Sequence, residues 1–430
     1  MLPMFILEPS SYQKRIAYSR TLALPRSSPF PNLEDLRLHL KELRQAAVAN
    51  LDSLSERLLK TLHSLPRVEV FTANDAQQGV LAIQNICGTT KTIAINQSSV
   101  LTQEIAPALR QAGFQVIDSY SCEFPLSENR FAEYYQLPRV TADYLVDSFS
   151  ASNLARLRTI CIERGDAKDF VALLGVNSMS ADDGTVFLVQ HFHNISKAFQ
   201  QARKLVLVVA LDKIASGCEE ARLQAVGTGI FGWEARLLKL GGQGGGTTLD
   251  ALPSVPSSQA DPDLLVIVMD NGRKRLLDGP YKDLLTCIGC RACIRNCPTH
   301  QFFGDDTGWS PKEYLYYFVQ GQNPSLDLCL NCGMCRVECP LDIDLPGMMM
   351  MARARSPVRQ TPASALISNF ETVARWGCRF PSMTNTALST SIPRWFADRI
   401  LGVSKDAPMP TLSRDSLPRW LRVRPGRQEK

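Results

Sequence analysis

Two short cysteine runs constrain the fold of this chain more than any other feature. "CIGCRACIRNCP" occupies residues 287–298, and "CLNCGMCRVECP" repeats its spacing over residues 329–340. The two runs hold eight of the thirteen cysteines in a chain of 430 residues. Because three thiols spaced by two residues must lie on one tight turn of backbone, each run is predicted to form a loop.

Three chemistries can be compared for these loops. Disulfides are disfavoured because the thiols crowd one loop and the chain shows no export signal. Structural zinc takes two Cys pairs per ion, usually in separated C-x2-C knuckles. Each run instead reads C-x2-C-x2-C-x3-C-P, in which a short loop holds three corners of a cubane while the fourth Cys reaches the other cluster. The sequence therefore predicts two [4Fe–4S] clusters.

If the ligands cross in this way, each cluster takes three cysteines from one run and the fourth from the other. The first cluster then binds Cys287, Cys290, Cys293 and Cys339, and the second binds Cys329, Cys332, Cys335 and Cys297. Pro298 and Pro340 are expected to turn the chain away from any continuing helix. Gly289 and Gly333 are expected to leave space for backbone amides near the cluster sulfur atoms.

The link between the runs contains the helix signal "SPKEYLYYFVQ". Ser310 as N-cap, Pro311 at the first helical position and Glu313 in a capping box predict a helix to about Gln320. The module therefore resembles the α-helical ferredoxin domain of the iron–sulfur subunits of succinate dehydrogenase and heterodisulfide reductase. For His300, cluster tuning or proton relay competes with an ordinary surface position.

The chain ahead of the cysteines shows a different pattern. Leucines and one alanine spaced by three or four residues, Leu36, Leu40, Leu43, Ala47, Leu51, Leu54, Leu58 and Leu62, predict one long amphipathic helix over about 32–64 that packs on the following domain. Short β-branched runs then alternate with helical stretches such as 101–112. These runs are "RVEVFTA", "TIAI", "FQVID", "VALLG", "TVFLV", "KLVLVVA" and "LLVIVMD". Such alternation predicts an α/β domain with a largely parallel sheet.

Two features outside the cysteine runs bear on possible further sites. The glycine-rich segment 241–263 is predicted to be a flexible surface loop, because it lacks the spacing of a phosphate-binding fingerprint. No flavin or nicotinamide fingerprint is visible elsewhere. Cys87, Cys122, Cys161, Cys218 and Cys378 are scattered, as expected of small buried hydrophobic residues.

Charge and apolar patterning bear on localisation. Apolar runs fall short of the ~18 to 20 residues that span a bilayer, and the start "MLPMFILEPSSYQKR" does not match a secretory signal. The cytoplasm is therefore expected. From residue 351 onward, fourteen Lys or Arg face five Asp or Glu, so the positive charge belongs to the tail. A solvated surface, an acidic protein partner and an anionic membrane surface all fit; nucleic acid is not expected because no binding motif accompanies the charge.

Within that tail, "IPRWFADRIL" (392–401) and "LPRWLRVRP" (417–425) combine apolar and basic residues. Trp395, Phe396, Ile400 and Leu401 can share one side of a helix, with arginines at its border. The tail is therefore predicted to dock on a partner subunit or a lipid surface, against the simpler interpretation that it caps the ferredoxin core.

Several segments, in this order, resemble one known family. They are "SSVLTQEIAPAL" (98–109), "GTVFLV" (184–189), "KLVLVVALDKI" (204–214), "VIVMDNGRKRLL" (266–277), "CPLDIDLPGM" (339–348) and "GVSKDAPMPTLSRDSLPRW" (402–420). The family is the iron–sulfur protein of bacterial lactate utilisation, in which a LUD domain precedes a two-cluster ferredoxin module. The resemblance implies an N-terminal segment 1–66, an α/β LUD domain 67–278 similar in fold to sugar-phosphate isomerases and CoA-transferases, an α-helical ferredoxin domain 279–356 and a basic tail 357–430.

The same resemblance implies a role. Members of the family act with an iron–sulfur subunit bearing cysteine-rich repeats and a second LUD protein, and the set oxidises L-lactate to pyruvate. The chain is thus expected to be an electron-transfer subunit of a cytoplasmic complex oxidising a 2-hydroxy acid, with its basic tail offering peripheral contact to the inner membrane face. A heterodisulfide-reductase-like or quinone-linked assembly, and a LUD domain with its own small-ligand chemistry, remain open.

The chain departs from the family after "GTVFLV". An Asn-Glu-Gly-Asn-like turn is usual there, whereas this sequence has "QHFHN", so that only Asn194 agrees. His191 and His193 would point to one face of a strand and could form a metal or acid–base pair, or be ordinary loop histidines. The segment 132–144 also lacks an expected Pro-Ser-His-type turn, so the departures bear on which substrate is used.

Overall fold

The structure is a computed structural model of the chain. It describes residues 32–119, 146–150, 158–163, 165, 167–189, 194–237, 249–303, 310–322, 324, 326–356, 369–401, 404–406, 409 and 411–413. The chain divides into two compact units, Met1–Arg353 and Ala354–Lys430. The first contains both cysteine runs.

The centre of the first unit is a six-stranded sheet in which every neighbouring pair is parallel. Its spatial order is β1-β10-β8-β5-β2-β3. The ten strands of the described chain are β1 Val68–Ala73, β2 Thr92–Ile95, β3 Gln115–Asp118, β4 Val146–Ser150, β5 Lys168–Gly175, β6 Ser178–Ser180, β7 Thr185–Val189, β8 Ala202–Ala210, β9 Ile214–Ala215 and β10 Leu264–Met269. Every strand predicted from the sequence is present, and the α/β class is confirmed.

A smaller sheet of four strands, in the order β4-β7-β6-β9, lies beside the first. β7 pairs antiparallel with both β4 and β6. The turn before β7 contains Asp183, whose carboxylate accepts hydrogen bonds from the Thr185 amide at 3.0 Å and hydroxyl at 2.8 Å. The "TVFLV" run thus belongs to this sheet, not to the parallel one.

Helices cover both faces of the parallel sheet. In the described residues up to 355 they are α1 Leu33–Ala49, α2 Leu51–Ser64, α3 Ala76–Cys87, α4 Ala106–Gln111 after a π-helical turn Val100–Ile105, α5 Asn194–Gln201, α6 Cys218–Leu237, α7 Pro298–Phe303, α8 Pro311–Val319, α9 Met334–Val337 and α10 Leu345–Arg355. Because helices cover both faces, all six side chains of β10 are buried. They alternate between two hydrophobic clusters on opposite faces of the sheet. A sheet covered on both sides needs such continuous apolar runs.

The predicted long N-terminal helix is wrong in one respect, because two helices occupy the segment. Asn50 separates α1 from α2, and its side chain donates to the Ala46 carbonyl oxygen at 2.9 Å. An asparagine side chain competes in this way with the backbone bonds of a helix. The apolar stripe continues across the break, and both helices pack into the core as expected.

Two details of the first unit differ from what periodicity and composition predict. Within the buried stripe of α1, Arg44 is fully buried, whereas Leu43 is only partly buried against the core. In the glycine-rich segment, Leu249 and Leu252 are buried in the core, while residues 241–248 lie outside the described chain. Periodicity and composition do not predict the burial of these residues, because their burial depends on contacts with residues that are distant in sequence.

In the described residues of the second unit there are three short helices, α11 Phe370–Arg379, α12 Pro381–Ser389 and α13 Ser391–Leu401. Of the helices in the described residues, none is long and apolar enough to cross a membrane. The four-part domain division predicted from the sequence stays a prediction.

Candidate iron–sulfur site

The two cysteine runs adopt matching loops. In each, the second and fourth residues after the first cysteine have left-handed backbone: Gly289 (φ 76°) and Arg291 (φ 62°) after Cys287, and Asn331 (φ 53°) and Gly333 (φ 80°) after Cys329. A short helical turn follows each pair, Ala292–Ile294 in the first loop and α9 in the second. The repeated spacing therefore encodes a repeated backbone conformation.

Backbone amides approach the first sulfur of each loop. The Gly289 amide lies 3.3 Å from Cys287 Sγ, and the Asn331 amide lies 3.4 Å from Cys329 Sγ. The expected role of Gly289 agrees with this contact. In the second loop the contact comes from Asn331, and Gly333 supplies left-handed backbone at the start of α9. Such N–H···S contacts are one of the means by which a protein sets the potential of a cluster.

The thiols fall into two groups by their electrostatic effect on one another. Burial raises the pKa of Cys293 far above its ordinary value, and negative charge on Cys287, Cys290 and Cys339 raises it further. Burial likewise raises the pKa of Cys335 to about 12, with added effects of Cys329, Cys297 and Cys332. Each group takes three thiols from one run and the last thiol of the other. We call them the first tetrad (Cys287, Cys290, Cys293, Cys339) and the second tetrad (Cys329, Cys332, Cys335, Cys297).

The second tetrad lines a cavity that opens to the surface. All four of its cysteines border this cavity, together with apolar side chains that include Tyr314 and Met349. Cys332 is exposed and Leu330 beside it is 70% exposed, whereas Cys290 and Cys339 of the first tetrad are buried. Four cysteines that line one apolar cavity fit a group that several thiolates bind together, so the residues present suit a [4Fe–4S] cluster.

The α/β unit holds the loop of the first tetrad. Thr228 on α6 donates to the Ile288 carbonyl oxygen at 3.0 Å, and Lys213, just after β8, donates to the Cys287 carbonyl oxygen at 2.9 Å. A Cβ at Gly232 of α6 would lie 2.4 Å from the Cys290 carbonyl oxygen. The helix backbone therefore approaches the cysteine loop as closely as a glycine allows.

The two loops are tied to each other beside the exchanged cysteines. Arg295 donates to Glu338 at 2.8 Å, and Asn296 also donates to that carboxylate. These groups closely precede Cys297 and Cys339 in sequence. The ion pair thus fixes the spacing of the two positions at which each run would cross to the other cluster.

A buried charge network lies between the carboxyl edge of the parallel sheet and the first tetrad. Arg273, after β10, donates to the Asp212 carboxylate and, at 2.8 Å, to Glu104 Oε1. Lys213 Nζ lies 3.3 Å from Asp212 Oδ2. Burial alone would raise the pKa of Asp212, but Lys213 and Arg273 hold it well below its usual range. Asp212 is therefore a carboxylate that its neighbours keep ionised.

Helix α8, which lies between the two cysteine runs in sequence, packs against this charge network. The Tyr316 ring lies 4.8 Å from the Arg273 guanidinium carbon and 4.9 Å from Lys312 Nζ, centroid to atom, and its hydroxyl donates to the Asn271 carbonyl oxygen at 3.1 Å. The predicted capping box is present, since Ser310 Oγ accepts from the Glu313 amide and the Glu313 carboxylate accepts from the Ser310 amide. The cap starts α8 at the place that brings Lys312 to the sheet edge.

Arg44 joins the same network from α1. Its guanidinium donates to the Asp212 carbonyl oxygen at 2.7 Å, the Leu285 carbonyl oxygen at 2.9 Å and Gln224 Oε1 at 2.8 Å. Weaker bonds reach the carbonyl oxygens of Ile214 and Thr286. One side chain thereby ties α1, the sheet edge and the start of the first cysteine run.

The remaining candidate residues, which are histidines, scattered cysteines and Pro298, lie in different surroundings. His191, His193 and Cys122 lie outside the described residues. His300 borders the cavity of the second tetrad. Cys87 is buried as expected, which raises its pKa to about 11. The expectation of burial is wrong for Cys218, which is exposed, and holds only in part for Cys161 and Cys378, which are half-buried; none of the three belongs to either tetrad. Pro298 is the first residue of α7, a position that its fixed φ favours.

Sequence reasoning missed Arg44, Lys213, Gly232 and Lys312 as parts of the site. Two weak signals were present: an arginine in the apolar stripe of α1, and a glycine within a helix, where it costs stability unless packing demands it. Neither signal names the atom that the residue contacts.

The fold and the site together define a class of protein: an α/β fold with a parallel sheet, combined with a 4Fe-4S dicluster domain in the C-terminal part. The sequence matches the family described as "4Fe-4S dicluster domain" over residues 286–344. This match spans both cysteine runs in full. No solved structure matches the chain.

Among individual proteins, the chain is similar along most of its length to lactate utilization protein B. It is 22% identical to that of Lysinibacillus sphaericus, over 87% of this chain and 82% of the relative. It is 23% identical to that of Bacillus velezensis, over 80% and 76% of the two chains. An uncharacterized electron transport protein, YkgF of Escherichia coli, is 22% identical over 74% and 71%. The resemblance to the lactate-utilisation iron–sulfur proteins is thus confirmed.

Proposed function

We propose that this chain is an iron–sulfur electron-transfer subunit that holds two [4Fe–4S] clusters with crossed ligands. The observation that carries the proposal is the cavity that Cys297 of the first run lines together with Cys329, Cys332 and Cys335 of the second. The mutual effects of the thiols on their pKa values agree with the same grouping and with the converse one around Cys339. When bound, such clusters accept and release electrons one at a time, so that a two-electron oxidation can be divided into single steps.

The residues of the chain have separate tasks in this role. Cys287, Cys290, Cys293 and Cys339 bind one cluster, and the second tetrad binds the other. Gly289 and Asn331 direct amides at the bound sulfur atoms, while Arg295 and Glu338 hold the loops at a fixed spacing. The buried Cys290 and Cys339 limit the access of water to one cluster, and the exposed Cys332 leaves the other close to the surface.

The reaction served is the oxidation of L-lactate or a similar 2-hydroxy acid to the 2-oxo acid. Support comes from the relatives named lactate utilization protein B and from the relative named an electron transport protein. The partners we propose are an iron–sulfur subunit with cysteine-rich repeats and a second LUD protein, assembled in the cytoplasm. Contact with an acidic partner or the inner membrane face would involve the basic tail.

An independent small-ligand reaction of the α/β domain is disfavoured by one observation on the described residues. In open parallel sheets, ligands bind at the carboxyl edge of the strands. Here α8 covers part of that edge: Tyr316 bonds the Asn271 carbonyl oxygen, and the Tyr317 hydroxyl donates to Gln103 Oε1 at 2.8 Å. That space serves the contact with the ferredoxin module.

Crossed ligation is tested with Cys297→Ser. The anaerobically purified chain should contain close to eight irons, and the variant should lose or alter only the cluster that also binds Cys329, Cys332 and Cys335. Electron paramagnetic resonance of the reduced protein resolves which cluster changes, and Cys218→Ser is the control that should change neither. Damage confined to the cluster of Cys287, Cys290 and Cys293 would show that each run binds its own cluster.

The metabolic role is tested by reconstitution. L-lactate oxidation should require this chain together with both proposed partners and should stop when any one of the three is omitted. Turnover of L-lactate by the isolated chain would identify it as the catalytic subunit instead.

A further inference from the structure

The buried network contains more positive than negative groups. Arg44, Lys213, Arg273 and Lys312 are its cations, and Asp212 and Glu104 are the carboxylates that face them. Arg291 and Glu313 nearby lie 3.7 Å apart and balance each other. The network therefore has two cations in excess among its described members.

Unbalanced buried charge is costly, so an excess of cations calls for negative charge close by. The first tetrad provides it through its thiolates. Burial lowers the pKa of Arg44 and Lys213, and the negative charges of Asp212 and then of Cys287 oppose that effect. At Lys312 burial also acts downward, but the charges of Asp212 and Cys287 raise the pKa above its ordinary value. Lys213 also reaches this loop directly, through the Cys287 carbonyl oxygen at 2.9 Å. A thiolate-bound cluster carries net negative charge, and reduction makes that charge larger.

We infer that the cations at the carboxyl edge of the sheet raise the reduction potential of the cluster held by the first tetrad, with Lys213 as the main positioning residue. This inference rests on the proposed function, because it requires that the tetrad binds a cluster. The α/β domain thereby acts on electron transfer through its charges, without touching the reacting substrate.

At the second tetrad, a weaker contact of the same kind is made by a single cation. Arg353 donates to the Leu326 carbonyl oxygen at 2.8 Å and to the Cys329 carbonyl oxygen, the position that corresponds to Cys287. Arg353 is only partly buried, and water screens a partly exposed charge more than a buried one. The two clusters therefore have different electrostatic surroundings despite their matching loops.

Burial by itself opposes this effect. A site without water disfavours the more highly charged reduced state, which lowers the potential of a buried cluster. Fixed cations in the same low-dielectric region act more strongly than they would at the surface. Since the two effects have opposite signs, the test removes charge while leaving burial in place.

The experiment is a redox titration of the whole chain, followed by electron paramagnetic resonance, comparing Lys213→Gln with Lys213→Arg. Lys213→Gln should leave eight irons bound and make reduction of the first cluster at least tenfold less favourable, which is about 59 mV for a one-electron couple. Lys213→Arg keeps the charge and should leave the potential near that of the unsubstituted protein. Neither change should move the potential of the second cluster.

Lys312→Gln and Lys312→Arg form a second pair, on a residue whose ammonium lies over the Tyr316 ring. Arg353→Gln is the spatial control and should lower only the potential of the second cluster. Equal potentials in the charge-removing and charge-keeping variants overturn the inference, as does loss of the clusters in both glutamine variants. Fewer than eight irons in the unsubstituted chain would instead contradict the proposed function.

Discussion

Single residues at the sheet edge and on α6 determine how the first cysteine loop is held. Gly232 has no side chain because the Cys290 carbonyl oxygen occupies the space where a Cβ would lie. Arg44 is buried because five acceptors surround its guanidinium. A leucine at position 44 would leave those acceptors without this donor, and each buried unsatisfied group costs about 1–3 kcal/mol.

Gly232→Ala is predicted to destabilise the chain by about 1–3 kcal/mol, the usual cost of forcing extra volume into a packed site. The new methyl group would meet backbone of the cysteine loop, which cannot turn aside as a flexible side chain can. Anaerobic urea unfolding, together with iron analysis, measures the loss. The control is Gly79→Ala on α3, where a Cβ would meet its neighbours at 3.8 Å and the better helix propensity of alanine should stabilise. Equal stability of Gly232→Ala and the unsubstituted chain would contradict the prediction.

Among the structural elements, the two cysteine loops adopt the same backbone conformation although their sequences differ. The first loop places glycine at its earlier left-handed position and arginine at the later one, whereas the second places asparagine first and glycine second. Asparagine enters this region more readily than most residues. The helical turn that follows each loop then directs the third cysteine towards its tetrad.

Gly333→Ala is predicted to destabilise the second loop by about 1–2 kcal/mol, because an L-residue with a side chain is strained at φ 80°. A Cβ added at this glycine would meet no other atom within 4 Å, so the cost is conformational. Asn331, two residues away, already has left-handed backbone, so Asn331→Gly should change stability by less than about 1 kcal/mol. The rate of iron release to a chelator measures both variants. Faster release from Asn331→Gly than from Gly333→Ala would refute this account.

At the scale of the whole molecule, the chain divides into a first unit that contains the sheet and both tetrads and a second unit whose described part contains three helices. Helix α13 exposes apolar side chains, with Ile392 72%, Trp395 50%, Phe396 51% and Ile400 57% accessible. The predicted helix is therefore present, and its aromatic side is open to solvent. Residues 414–430, with the second basic segment, lie outside the described chain.

Deletion of residues 391–430 is predicted to leave eight irons bound and to weaken assembly with the partner subunits. The clusters are held within the first unit, whereas the deleted segment carries exposed aromatic residues and positive charge. Since charge contributes, high salt should weaken assembly of the full-length chain more than that of the truncated one. Co-purification at low and high salt measures this. Loss of iron on truncation would make the tail part of the ferredoxin core, and unchanged assembly at both salt concentrations would remove its docking role.

Several features of this protein were determined by its sequence alone. The strands of the parallel sheet are short runs rich in β-branched residues, the start of α8 is set by Ser310, Pro311 and Glu313, and the loops follow from the cysteine spacing. These features depend on residues close together in the chain, so local propensity and periodicity predict them. The identity of the eight cysteine ligands rests on the same local pattern and stays a prediction that cysteine variants such as Cys297→Ser test.

Tertiary structure decided the rest. The break at Asn50, the burial of Arg44, the close approach of Gly232 to Cys290 and the meeting of Lys213 with Cys287 all join residues far apart in sequence or depend on such contacts. A buried charge is stable only when oppositely charged or hydrogen-bonding groups surround it. A loop can approach a helix backbone closely only where the helix residue has a small side chain or none. Those partners are brought together only when the sheet, its helices and the cysteine loops have folded onto one another.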